Sequence, residues 1–107
     1  MNASPTLSVD LALCHEISLA DLPITIGRGA ESRITVTDRW VSRQHCEISQ
    51  IDGVVVLRDL GSSHGTYVNG QRVDERTLHS GDRLGVGLTS FIATLDDHAV
   101  TLVASVS

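Results

Sequence analysis

Apolar and polar residues alternate with a period of two along most of the chain, which is the pattern of half-buried β-strands. Leu7, Val9, Leu11 and Leu13, for example, would share one strand face. No long stretch repeats apolar residues at helical spacing, so we predict no long helix. Further short strands are predicted at 23–26, 33–36, 46–51, 54–57, 66–68, 71–73, 83–86, 91–95 and 99–104.

Turn signals separate these strands at short intervals. Asp52-Gly53 and Asn69-Gly70 are two-residue hairpin signals between apolar runs. Many short strands with frequent turns are typical of an antiparallel sandwich or barrel, so we predict an all-β fold. Three connections are longer: 27–32 and 61–65, which are rich in Gly and Ser, and 37–44. Loops of this kind are where function usually lies on a β scaffold.

The length of 107 residues fits one domain. We expect residues 1–6 to form a flexible tail and residues 7–105 to form the folded domain. The longest apolar tract, 99–106, is too short to span a bilayer, and the first six residues carry no basic group typical of a secretory signal. The sequence therefore predicts a cytoplasmic protein that does not bind membranes.

The charge of the chain limits its partners. The formal net charge is −5, and all 8 basic residues are Arg. A net acidic domain is a poor general binder of nucleic acid, so we expect no nucleic-acid partner. A few locally concentrated Arg can still bind one phosphate, because the guanidinium offers a planar fork of donors.

The three longer connections contain the groups that an oxyanion site needs. They carry Gly27-Arg28-Gly29, then Ser42-Arg43-Gln44-His45, then the run from Gly61 to Thr66, which includes Ser62, Ser63 and His64. Two guanidinium groups, several hydroxyls and flexible backbone can together bind an anion if the loops converge.

These segments, in this order, resemble the forkhead-associated (FHA) domains. The likeness includes Gly27-Arg28, Ser42 to His45, Asp59 to Gly70 and Leu78 to Gly87, and it extends over about residues 24–95. The resemblance implies an antiparallel β-sandwich of about eleven short strands with functional loops at one end. It also implies a module that binds phosphothreonine on partner proteins in Ser/Thr kinase signalling, downstream of a kinase.

The resemblance assigns a role to each residue that matches the family. Arg28 and Ser42 would contact the phosphate, and Arg43 would add a further contact. His45 would brace the binding loop, while Gly27, Asn69 and Gly70 would support the architecture. No cofactor is expected.

Ser63 and His64 are the predicted contacts to the peptide beside the phosphate. The family commonly has Asn at the position of His64, where it holds the peptide backbone. A neutral His both donates and accepts hydrogen bonds, so His64 can replace that Asn.

The sequence suggests three other functional classes besides a phosphothreonine-binding module. Ser42, His45 and a carboxylate such as Asp38 or Asp59 suggest a catalytic triad, but no nucleophile elbow is present, so we expect no catalytic residue. Cys14-His15 and His45-Cys46 suggest metal ligands, but strand neighbours point to opposite faces, so we expect no metal. The remaining alternative is a phosphate-independent interaction module on the same fold, since a fold alone does not establish function.

Overall fold

The computed structural model describes residues 14–105, and nearly all of the regular structure in this part of the chain is β. One 3₁₀ turn, Leu19–Asp21, follows the first strand. The strands are β1 (Cys14–Ser18), β2 (Ile24–Gly27), β3 (Ile34–Thr35), β4 (Cys46–Ile51), β5 (Val54–Asp59), β6 (Thr66–Val68), β7 (Gln71–Val73), β8 (Glu75–Thr77), β9 (Arg83–Val86), β10 (Thr89–Leu95) and β11 (Ala99–Ser105).

The strands form two sheets that pack as a sandwich. One sheet has the order β1-β11-β10-β9-β6-β7, and the other has the order β3-β2-β4-β5-β8. All pairs are antiparallel except β2 with β3, where Ile26 faces Ile34 in parallel register. The predicted antiparallel sandwich of about eleven strands is therefore confirmed, with this short parallel pair as the exception.

The core lies between the two sheets and follows the predicted alternation. Along β4, Cys46 and Ile48 are buried while Glu47 and Ser49 are only partly covered. Residues without exposed surface come from both sheets and include Ile26, Ile48, Leu57, Leu84 and Leu102.

Both predicted hairpins are confirmed. Asp52 and Gly53 have φ of 51° and 82°, and Asn69 and Gly70 have φ of 52° and 84°. Two successive residues with positive φ define the type I′ turn that suits the twist of a hairpin.

Two strands, β1 and β8, were not predicted from the sequence. Both lie at the edge of a sheet, and Ile17 is the only fully buried residue of β1. An edge strand buries few side chains, so its sequence shows little alternation. The predicted strand face at 7–13 and the tail at 1–6 lie outside the described residues, and the domain boundary at residue 7 stays a prediction.

Cys14 and Cys46 are both free thiols. Burial raises the pKa of Cys46 to about 12, so this thiol behaves as a small apolar core residue. Within residues 14–105, no cluster of three or more His, Cys, Asp or Glu has a geometry that could hold a metal ion. None of the helices in this same range is long and apolar enough to cross a membrane.

The sheet register brings the three longer connections to the same end of the sandwich. In the five-stranded sheet, Ile26 faces Cys46, which in turn faces Asp59. The His45 amide donates to the Ile26 carbonyl at 3.0 Å, and the Leu60 amide donates to the His45 carbonyl at 2.9 Å, so the pairing continues into the loops. The end of β2, the start of β4 and the end of β5 thus lie side by side.

Candidate functional site

An open cleft of about 240 Å³ lies at the loop end of the sandwich. The structure brings all five predicted contact residues to this cleft. Its lining residues are Arg28, Arg39, Trp40, Val41, Ser42, Arg43, Ser63 and His64.

Arg28 is exposed, yet its position is well defined by backbone contacts. Its amide donates to the Ser42 carbonyl at 3.0 Å, and its Nε donates to the Val41 carbonyl at 2.9 Å. Since Nε is already engaged, the two terminal amino groups of the guanidinium remain available to an anion. Arg28 is therefore oriented before any ligand arrives.

Ser42 joins two of the loops through its hydroxyl oxygen. Ser42 Oγ accepts a hydrogen bond from the Ser63 amide at 3.0 Å. A hydroxyl has two acceptor lone pairs and one donor hydrogen, so this contact leaves the O–H free to donate. Ser42 can thus give a hydrogen bond to an anion in the cleft without losing its structural contact.

Arg43 lies beside Arg28 at the cleft, but its guanidinium already has a partner. Its Nε is 3.2 Å from Glu31 Oε2, and its Nη2 is 3.3 Å from Glu31 Oε1. Both side chains are largely exposed, so this ion pair contributes little to stability. A more highly charged anion can compete with the Glu31 carboxylate for Arg43.

His45 is fully buried beneath the cleft and connects two loops. Its Nδ1 accepts from the Ser42 amide at 3.1 Å, and its Nε2 lies 2.8 Å from the Gly65 carbonyl oxygen. A carbonyl only accepts, so Nε2 carries the proton and the ring is the neutral tautomer. This side chain ties the Ser42 loop to the loop that ends at Gly65.

Asp59, at the end of β5, organises the third loop. Its carboxylate accepts from the Gly61 and Ser62 amides at 3.0 and 3.1 Å and from the Ser62 and Thr66 hydroxyls at 2.5 and 2.6 Å. Burial by itself raises the pKa of Asp59, but these hydrogen bonds, those of Ser62 and Thr66 first, outweigh it and hold the pKa below its ordinary value of 3.8. The ionised carboxylate is therefore the form that shapes the loop.

Ser63 and His64 are exposed at the rim formed by the third loop. The His64 ring packs edge-to-face on Trp40, with ring centroids 4.7 Å apart. The Arg39 guanidinium lies over the same indole, 5.3 Å from its centroid. Arg39 and Trp40 are not among the residues that the sequence predicts for this site. The signal that could have identified them is an Arg-Trp pair two residues before Ser42.

The predicted supporting residues occupy different places. Gly27 is buried beneath the cleft, and a Cβ there would lie 2.2 Å from the Arg43 carbonyl oxygen, so close backbone approach explains this glycine. Asn69 and Gly70 lie outside the cleft, at the far end of β6. Asn69 Nδ2 donates to Asp82 Oδ1 at 3.0 Å and its Oδ1 accepts from the Arg83 amide at 3.0 Å, which joins this turn to β9.

Two larger cavities lie elsewhere in the described part of the chain. One, of about 370 Å³, is lined by residues that include His15, Thr35 and Phe91, and the other, of about 340 Å³, by residues that include Leu19, Asp96 and Asp97. Neither is lined by an Arg. The loop cleft is thus the one of these three cavities with fixed cations for a dianion.

These features define a β-sandwich whose loop end is built to receive an anionic group. The family model for the FHA domain matches residues 24–87, and the chain belongs to the FHA domain family. The oxoglutarate dehydrogenase inhibitor of Corynebacterium diphtheriae is 43% identical over 70 residues, which are 64% of this chain and 49% of that protein. The glycogen accumulation regulator GarA of Mycolicibacterium smegmatis is 41% identical over 70 residues, 64% of this chain and 44% of that protein.

The architecture also agrees with solved FHA structures. One, from a structural and functional study of phosphothreonine-dependent FHA domain interactions, superposes with a TM-score of 0.59 and 30% identity, and the match covers 79% of this chain and 77% of that chain. The chain spans about half the length of the two curated relatives described above.

Proposed function

We propose that this chain binds phosphothreonine on partner proteins, with the phosphate in the cleft between Arg28, Ser42 and Arg43. The observation that carries the proposal is that these three donors line one cleft while the Ser42 hydroxyl hydrogen and the terminal amino groups of Arg28 stay available. Membership of the FHA family and the phosphothreonine-dependent interactions of a solved relative support it. The chain is thus a phosphopeptide-binding module in Ser/Thr kinase signalling.

The chemistry of the cleft suits a phosphate monoester better than a carboxylate. A phosphate near neutral pH carries about two negative charges and three acceptor oxygens. Hydrogen bonds to charged groups contribute roughly 1.5–3 kcal/mol each, so three donors supply several kcal/mol. Part of this is offset by the ordering of the peptide, which leads us to expect a micromolar dissociation constant, about −8 kcal/mol.

Arg43 joins the site by exchange. The phosphate dianion replaces the Glu31 carboxylate as its partner, because two charges attract the guanidinium more strongly than one. Arg28 has no such competitor among residues 14–105, so we expect it to contribute more than Arg43.

Ser63 and His64 are proposed to hold the peptide backbone beside the phosphothreonine. The Ser63 amide is already used by Ser42 Oγ, which leaves its side chain and carbonyl for the peptide. His64 offers a ring nitrogen at the rim, and Trp40 restricts its orientation.

We further propose that the phosphate is bound and not cleaved. His45 is the closest imidazole to Ser42 in sequence, but both of its ring nitrogens contact backbone groups and neither contacts Ser42 Oγ. A general base must lie within hydrogen-bond reach of the nucleophile's proton. The arrangement therefore supports binding of the phosphate without cleavage. The cytoplasmic location that the sequence predicts is also part of this proposal.

The test is a binding titration with a fluorescein-labelled degenerate peptide pool that has phosphothreonine fixed at its centre. Matched pools carry phosphoserine or unmodified threonine. We expect micromolar binding of the phosphothreonine pool, weaker binding of the phosphoserine pool by up to about 3 kcal/mol for the missing methyl, and no binding of the threonine pool. Binding of the unmodified pool with equal affinity would support a phosphate-independent module instead.

Three variants make the titration specific to the cleft. Arg28→Ala should weaken binding by about 3 kcal/mol, and Ser42→Ala by about 1.5 kcal/mol. Arg33→Ala is the matched control, because Arg33 is an exposed arginine between β2 and β3 that does not line the cleft. Unchanged binding by Arg28→Ala, with the fold verified by circular dichroism, would contradict the proposed phosphate site.

A further inference from the structure

The cleft contains more positive charge than one phosphate requires. Three of its eight lining residues are Arg, and none is Asp or Glu, although the chain as a whole has a net charge of −5. In the proposed function, Arg28 and Arg43 face the two charges of the phosphate. Arg39 remains without an assigned anion.

Arg39 is a free cation at the edge of the cleft. Among residues 14–105 it forms no ion pair, in contrast to Arg43 and Arg58, which each contact a glutamate. The nearest carboxylate in sequence, Asp38, accepts hydrogen bonds from the amides of Trp40 and Leu88, one on each oxygen. Asp38 is therefore committed to shaping its own loop.

The Arg39 guanidinium is nevertheless held in place. It lies 5.3 Å from the centre of the Trp40 indole, and a cation over an aromatic face is attracted by the ring quadrupole. Trp40 in turn contacts His64 edge-to-face at 4.7 Å, so Arg39, Trp40 and His64 form a continuous rim along the cleft. Trp40 is 37% exposed, which leaves part of its surface open to a ligand.

We propose that this rim of Arg39, Trp40 and His64 is a second subsite that binds an acidic side chain close to the phosphothreonine. The inference rests on the proposed phosphothreonine function. The Arg39 guanidinium is held in place and has no carboxylate partner within the described part of the chain, so it attracts the carboxylate of the ligand. The Trp40 indole packs against the aliphatic part of that acidic side chain. The chain thus prefers phosphopeptides with Glu or Asp near the phosphorylated residue.

The test compares phosphothreonine peptides that differ at one position. Each of the three positions on either side of the phosphothreonine carries Glu, Ala or Lys in turn, and the rest of the peptide is constant. For wild type we expect at least one position where Glu binds about three- to fivefold more tightly than Ala, and where Lys binds more weakly than Ala.

Variants then assign the preference to the rim. In Arg39→Ala the ratio between the Glu and Ala peptides should fall to about one, because the variant loses more affinity for the Glu peptide than for the Ala peptide. Arg33→Ala removes the same charge outside the cleft and should keep the ratio. Trp40→Phe retains an aromatic face and should keep most of the preference, whereas Trp40→Ala should lose it.

Several outcomes would overturn the proposal. Equal affinity for the Glu and Ala peptides at every position would do so, and so would an Arg39→Ala variant that keeps the preference or loses all peptides equally. In each of these cases the wild-type chain still binds phosphothreonine peptides. Absence of wild-type binding to every phosphothreonine peptide would instead remove the function on which the subsite rests.

Discussion

His45 illustrates how single residues shape this site. Its two ring nitrogens contact the backbone of two different loops, and no part of the ring is exposed. Replacing such a side chain leaves a buried donor and a buried acceptor without partners, which is more costly than the loss of an exposed contact. A buried histidine thus keeps the Ser42 hydroxyl and the Ser63 amide in register.

Gly27 contributes at the same scale through the absence of a side chain. A Cβ at this position would lie 2.2 Å from the Arg43 carbonyl oxygen, which belongs to the backbone and cannot rotate away. Its φ does not lie in the left-handed region, unlike those of Gly61, Gly65 and Gly70. The requirement for glycine is therefore steric.

We predict that Gly27→Ala lowers the free energy of unfolding by about 3 kcal/mol, because an overpacked backbone contact forces the Arg43 loop outward. Urea denaturation followed by circular dichroism measures this change. Gly29→Ala is the matched control, since the three atoms that its Cβ would approach most closely belong to the exposed side chains of Glu31 and Arg43, which can rotate away, and not to backbone. Equal midpoints for the two variants would contradict the steric explanation.

At the scale of elements, the third loop depends on the strand that precedes it. Asp59 ends β5, and its carboxylate binds two amides and two hydroxyls of the segment up to Thr66. One ionised group thus replaces the sheet hydrogen bonds that the chain loses when it leaves β5. The positions of Ser63 and His64 follow from this arrangement.

This dependence makes a prediction about pH. The pKa of Asp59 is lower in the folded state than its ordinary value, so its contribution to stability is present above about pH 4 and is lost as the pH falls through the folded pKa. We expect Asp59→Asn to lower the free energy of unfolding by about 2 kcal/mol at pH 7 and by progressively less as the pH falls through the folded pKa, where the wild-type group itself becomes protonated.

Urea denaturation at a series of pH values from pH 7 downward is the measurement. Asp97→Asn serves as the control, because Asp97 is exposed and accepts no hydrogen bond within residues 14–105. A destabilisation by Asp59→Asn that stays constant from pH 7 to a pH below the folded pKa of Asp59 would show that charge is not the cause.

The elements also show what a sequence can and cannot predict. β4, β6, β7 and β9 have the predicted bounds, because each has one buried face or adjoins a turn with a clear signal. β1 and β8 escaped prediction, since edge strands need few apolar residues.

The residues of the cleft were also predicted only in part. The convergence of Arg28, Ser42 and Arg43 was predicted only through the resemblance to FHA domains. The sequence does not predict the ion pair between Arg43 and Glu31, or the contacts of Trp40 with Arg39 and His64. These contacts join side chains whose mutual distances depend on loop conformation.

At the scale of the whole molecule, both ends of the described chain lie at the end of the sandwich that carries the cleft. Cys14 faces Val103, Ser90 faces Ser105, and Val86 faces both Thr89 and Thr66, the residue that follows the third loop. In this sheet β11 and β6 are three strands apart. At the usual strand spacing, the distance between them is about 14 Å.

This geometry has a consequence for any sequence joined to the domain. A Gly/Ser tether of about twelve residues joined to Ser107 has a root-mean-square length of about 19 Å, enough to bring an attached ligand to the cleft. Such a ligand experiences a millimolar effective concentration, so a micromolar site is almost always occupied by it.

We therefore predict that ligating a phosphothreonine peptide to this tether lowers the apparent affinity for added labelled phosphopeptide at least a hundredfold. The same fusion with unmodified threonine should leave the affinity unchanged, and dilution should not relieve the block, since the competition is within one molecule. If instead the block disappears on dilution, the tethered peptide reaches only neighbouring copies. That result would contradict the strand pairing that places the end of β11 on the same side of the sandwich as the cleft.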